Sequence, residues 1–185
     1  IPYPLIEEIK NNYAQNFNAI VPASWRWDGV LSTDDKRITR TGIYMGESAP
    51  EMLSLSMIYG SRSGLNDVHG IMISQSTAKA LFSDTDPLNQ ILKINNKKDA
   101  TVTGVFEDIP VSSTFHGLAF IQPWEFLMSD APWIRSQGWN NHFLQLYVQL
   151  APDKTFAQAE ASIINAEMDV IRGLDYMKDD LKYQF

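Results

Sequence analysis

Between residues 143 and 150 the chain alternates strictly in polarity. Leu144, Leu146, Val148 and Leu150 interleave with Phe143, Gln145, Tyr147 and Gln149, which is the period of a half-buried strand. Shortly afterwards Thr155-Phe156-Ala157-Gln158 reads as a capping box opening a helix. Phe156, Ala159, Ile163, Ala166 and Val170 then recur as one apolar stripe until Gly173 stops it. A strand leading into an amphipathic helix rules out both an all-helical and an all-β chain. The expected class is α+β.

The rest of the sequence keeps to that mixture. A first helix is predicted from Pro4, with Ile6, Ile9, Tyr13 and Phe17 at helical spacing. Asp28-Gly29, flanked by Val21, Trp25, Trp27, Val30 and Leu31, reads as a tight hairpin turn. Thr33-Asp34-Asp35-Lys36 reads as a second turn before a β-rich run from Arg37 to Met45. Ala49-Pro50 opens a helical stretch expected to run through Met57 to near Gly60. A strand over 68–73 leads into a helix over 76–82, capped by Ser74 or Ser76. Two β segments, 91–94 and 101–106, flank a loop at 95–99, and a further strand covers 118–122. Little periodicity is visible from Pro123 to Asn141, and Lys182 to Phe185 is expected to begin another strand.

Composition bounds the function classes. The 185 residues carry a formal net charge of −7 and no cysteine. An acidic surface repels phosphate backbones, so nucleic acid is not expected as a partner. Lack of cysteine removes thiolate metal sites and cysteine nucleophiles. No run of 18 apolar residues occurs, so no segment of this sequence is expected to span a membrane. Starting at Ile1 without an initiator Met, the sequence reads as an excised or processed fragment.

No catalytic, cofactor-binding or metal residue can be named. His69, His116 and His142 are scattered, without the spacing of a metal-binding helix. Asp34-Asp35 and Glu107-Asp108 are adjacent pairs in turn contexts, and neighbours on a strand face opposite ways. Ser61-Arg62-Ser63-Gly64 lacks the strand–elbow–helix setting of a nucleophilic serine. There is no Walker A loop and no GxGxxG. The five tryptophans, Trp25, Trp27, Trp124, Trp133 and Trp139, read first as core residues with a polar tip at the edge. The competing reading places Trp25 and Trp27 on one strand face as a platform for glycans or peptides.

One region is more distinctive. Ile71-Met72-Ile73-Ser74-Gln75-Ser76-Thr77-Ala78-Lys79-Ala80-Leu81-Phe82 resembles the "ISxSxAKxLF" segment of MacB-like periplasmic core domains. Asp84-Thr85-Asp86-Pro87-Leu88 resembles the family's "GDEDPIG" turn, with Asn89 where that family usually has glycine. Ile91 to Asn95 and Thr101 to Pro110 resemble its "TLKLNG" and "FTVTGVFKDIP" strands, and looser likeness extends the match to about residues 43–170. Within these motifs Gly104 marks a close backbone approach or a bulge, and Leu81, Phe82, Val102 and Phe106 read as core.

The resemblance implies an ABC transporter permease of the MacB/FtsX type. Residues 1–48 and 141–185 would form a porter-like α/β subdomain, with 49–140 an inserted β-rich subdomain. It implies a non-catalytic domain in the periplasm, attached to a parent in the inner membrane and using no cofactor. Implied partners are a cytoplasmic ABC ATPase subunit or domain and a second permease copy. A periplasmic adaptor or outer-membrane protein is a further one. The alternative is a secreted glycan- or peptide-binding module.

Overall fold

The computed structural model describes residues 1–174, so the strand expected at 182–185 lies outside the described residues. In chain order the elements are α1 (Tyr3–Asn12), β1 (Phe17–Ala23), β2 (Trp27–Ser32), β3 (Arg37–Met45), α2 (Ala49–Met52), β4 (Met57–Gly60), β5 (Gly70–Ser74), α3 (Gln75–Phe82), β6 (Ile91–Ile94), β7 (Lys98–Phe106), β8 (Phe120–Pro123), α4 (Trp124–Asp130), β9 (Gln145–Leu150), α5 (Phe156–Ile163) and α6 (Ala166–Ile171). The class is α+β. Internal contacts divide the described residues into two compact units, Ala23–Asp130 and Ile1–Pro22 together with residues 131–174.

In the 23–130 unit, six strands close on themselves. Their order is β2-β6-β7-β5-β8-β3, and β3 pairs back with β2. Closure leaves no free edge along that ring, which is how a small sheet avoids unpaired backbone groups. All six strands send side chains into one interior cluster: Leu31, Ile38, Ile73, Leu92, Val102 and Phe120 are among them. Helix α3 adds Ala78, Leu81 and Phe82 to the same cluster. Phe106 is fully buried as well.

The register explains Gly104. Ile71 pairs with Val102 but Met72 with Gly104, so Thr103 is an extra residue in β7. A Cβ on Gly104 would lie 3.0 Å from Met57 Cε and 3.2 Å from Met72 Cε. Both the bulge and the close approach are present. The turn after α3 is equally specific: Asn89 has φ 61° and its N–H bonds the Val102 carbonyl at 2.9 Å. Left-handed backbone favours glycine and tolerates asparagine, which explains why asparagine can replace the family's glycine there.

Several sequence expectations are overturned. Asp28-Gly29 is no turn but lies within β2, paired with Thr41 and Arg40 of β3. Thr41 Oγ1 donates to Asp28 Oδ1 across the strands at 2.6 Å, and the hairpin turns at Thr33–Lys36 instead. Gly29 makes room for rings, since a Cβ there would meet the Trp27 ring at 2.7 Å. The helix expected from Ala49 ends at Met52, and Ser54 at φ 51° redirects the chain into β4. β4 pairs with β7 at Gly104–Phe106, whereas β6 pairs at Lys98–Thr101. The featureless stretch after Pro123 contains α4. At seven residues, WEFLMSD, it is too short for a helical period to stand out. The strands at 27–32 and 37–45 pair here with β6 and β8.

In the other unit, β9 lies beside β1. The Ala151 N–H bonds the Asn16 carbonyl at 3.0 Å, and Asn18 Nδ2 bonds Gln149 Oε1 at 2.7 Å. Ile6 and Ile9 of α1 are buried, whereas Phe17 belongs to β1. A second apolar cluster joins Trp139 and Ile171 with Leu5, Met168, Val170 and Leu174. The capping box at Thr155 is formed in both directions. The helix it opens is broken at 164–165, so Ala159, Ala166 and Ile171 are buried while Phe156 is exposed.

Candidate functional surfaces

The motif region builds a capped strand–helix corner. Ser74 ends β5, and its Oγ accepts from the Thr77 N–H at 3.4 Å, a polar N-cap. Asp108, from the Asp-Ile-Pro motif, accepts from the Ser76 hydroxyl at 2.7 Å and the Ser76 N–H at 3.2 Å. Partial burial opposes ionisation of Asp108, but the hydrogen bonds from Ser76 and Ser74 outweigh it and hold its carboxyl below the usual value. A carboxylate beside the first turn also complements the helix dipole. The motif thus ties the end of β7 to the start of α3.

The loop after that motif is held by a residue from far earlier. Arg26 donates to the carbonyls of Thr114 and His116, the latter at 3.2 Å, and lies over the Phe115 ring at 5.7 Å. His116 Nδ1 sits 3.0 Å from the Ile109 carbonyl. Sequence reading missed Arg26, because nothing local marks an arginine whose partners lie about ninety residues away.

On the same unit a groove of about 770 Å³ opens between the 33–36 turn, the end of α3 and the start of β6. Asp34, Asp35, Lys36 and Lys93 give it both signs of charge, over apolar Leu81 and Ile91. Lys36 Nζ reaches across to Ser83 Oγ at 2.6 Å. Opposite charges on exposed side chains are a solvated rim, each pair contributing little on its own.

The residues singled out by sequence are not gathered into one centre. His69 meets the Phe126 ring edge-on, and His142 Nε2 lies 3.2 Å from Glu167. Among the described residues no group of three or more His, Asp or Glu side chains could hold a metal ion. Trp25 lies outside β2 and is 62% exposed. Trp27 turns into the barrel, stacked on Tyr44 at 5.4 Å and edge-on to Phe120 at 5.2 Å. The two-tryptophan platform of the competing reading is therefore not formed. Trp124 and Trp139 are buried, and Trp133, 55% exposed, stacks on Phe143. Tyr44 has its pKa pushed up to about 12, by burial first and by the Asp130 carboxylate second. No helix among the described residues is long and apolar enough to cross a membrane.

With this geometry in hand, comparison with known proteins is decisive on family. The MacB-like periplasmic core domain family matches residues 1–166. The chain belongs to that family.

This is the periplasmic core domain of a MacB-like ABC transporter permease, a family whose members work with ABC ATPase components. Solved structures share the fold. A domain of a protein described as a permease from Porphyromonas gingivalis is 20% identical, with a TM-score of 0.67 over 90% of this chain and 72% of that one. The periplasmic region of MacB from Actinobacillus actinomycetemcomitans is 16% identical, with a TM-score of 0.66 over 97% and 83%. The extracellular domain of the noncanonical ABC-type transporter YknZ from Gram-positive bacteria is 17% identical, with a TM-score of 0.62 over 91% and 84%. No curated protein sequence matches.

Proposed function

We propose that this MacB-like domain is a non-catalytic mechanical element of its permease. ATP-driven movement of the membrane part reaches it from the flanking chain, and it passes that movement to cargo or to a partner protein. The observation that carries this reading is the family match over residues 1–166, which takes in elements of both compact units. The topology supports it. The described chain starts and finishes in one unit, where Leu5 near the start packs in a cluster with Trp139, Met168 and Ile171. The other unit is a single continuous insertion whose ring of strands is closed. A closed barrel resists deformation and suits a part that must move without changing shape.

In this reading the parent sits in the inner membrane, with this domain in the periplasm. Its partners are a cytoplasmic ABC ATPase, a second permease copy and a periplasmic adaptor or outer-membrane protein. The net charge of −7 argues against nucleic acid.

The test uses the parent permease reconstituted with its ATPase. Lys97 is exposed at the β6–β7 turn, and this domain contains no cysteine. A spin label on Lys97→Cys is therefore the domain's single probe. The distance between the labels of two permease copies is expected to change when ATP is bound and trapped. An unchanged distance in a complex that still transports would refute the coupling. ATP hydrolysis by the purified 185-residue chain would refute the non-catalytic role.

A further inference from the structure

The inward face of the barrel carries polar groups that its packing does not satisfy. Phe120 and Gln122 are two residues apart on β8 and so share a face. Phe120 belongs to the interior cluster. Gln122 pairs beside Tyr44 of β3, and Trp27 stacks on Tyr44 while touching Phe120 edge-on. Gln122 has 0% exposure. Neither its Oε1 nor its Nε2 has a hydrogen-bond partner among the described residues, and the same holds for the buried Nε1 of Trp27.

A carboxamide brings two donor hydrogens and an oxygen that accepts twice, and an indole adds one donor. Buried groups of this kind are almost always bonded in a folded protein. Phe120 and the stacked rings of Trp27 and Tyr44 share this layer. An apolar side chain of similar length would fill the same space at lower cost. Internal waters in proteins sit where such otherwise unsatisfied groups converge, commonly making about three hydrogen bonds.

We infer that the Gln122 carboxamide anchors an internal hydration site at the β8 end of the barrel, with the Trp27 N–H as the other orphaned group in that layer. The ligand is ordered water, enclosed by aromatic rings just before the chain enters α4. Its exchange with solvent requires the barrel to open locally, which makes it a reporter of the barrel's rigidity.

Two measurements on the 185-residue chain test this. A crystal structure resolving ordered solvent is expected to place water on Gln122 Oε1 or Nε2. A dry amide, or one turned onto a protein group, overturns the proposal. Oxygen-17 relaxation dispersion in solution is expected to count one long-lived water more in the wild type than in Gln122→Leu. The Leu variant should melt about 2–4 °C lower, because it strips the water of its anchor and leaves the Trp27 N–H unpaired. Equal water counts, with a melting temperature raised by a similar amount, would mean the amide was buried dry and would overturn it. If the variant does not fold, the wild-type structure and dispersion profile decide alone.

Discussion

Gly42→Ala is a one-methyl probe of whether the barrel interior is packed as described. Gly42 lies in β3 opposite Phe120 of β8, and a Cβ added there would overlap the Phe120 ring. Its backbone is not in the left-handed region, so alanine is conformationally acceptable. Reduced freedom of the unfolded chain would then favour alanine by about 0.4–1 kcal/mol. Against that, the ring has nowhere to go: Phe120 has 0% exposure and Trp27 braces it edge-on at 5.2 Å. Overpacking of a filled core costs about 1–3 kcal/mol, so overpacking wins and a net loss of about 1–2 kcal/mol is expected. Phe120→Leu alone removes volume and should cost about 1–3 kcal/mol through the cavity it leaves. The double variant places the new methyl in that cavity. Urea unfolding of the four proteins should give a favourable coupling of about 1 kcal/mol or more. Additivity within about 0.5 kcal/mol would refute the argument, since it would mean that the methyl and the ring do not compete for space.

Asn89→Ala should destabilise the domain by about 1–2 kcal/mol because of its φ of 61°, while Asn89→Gly should be close to neutral; equal thermal shifts for the two would discount the left-handed turn. Asp108→Asn tests the helix cap through pH. The folded-state pKa of Asp108 is lowered, so its contribution is complete above the unfolded carboxylate value of about 3.9 and is lost as pH falls through the lower folded value. Unfolding free energies measured across the acid range should therefore fall less steeply for the Asn variant, and parallel curves would count against the Ser76–Asp108 contact as the cause.

Sequence alone carried the features written in consecutive residues. A serine cap at Ser74 or Ser76, the capping box at Thr155, the turn at Thr33–Lys36 and strands at 91–94 and within 143–150 each depend on neighbours within a few positions. Backbone hydrogen bonding and side-chain period act at that range, so these elements were legible, as was the family through its consecutive motif. Gly104 announced a backbone irregularity, and Thr103 supplies it.

Tertiary structure decided whatever depends on partners distant in the chain. Asp28-Gly29 has the chemistry of a turn, but pairing with Thr41 and Arg40 and the bulk of the Trp27 ring keep it extended. Met57–Gly60 became a strand because β7 still had unpaired edge beyond β6. Trp25 and Trp27 separated because only one of them met Tyr44 and Phe120. The Arg26 clasp and the orphaned amide of Gln122 have no local signature, for each is defined by groups that arrive only when the ring of strands closes. Local propensities are worth a fraction of a kcal/mol per residue, whereas burying a large side chain is worth about 1.5–3 kcal/mol. Where the two conflicted, burial prevailed.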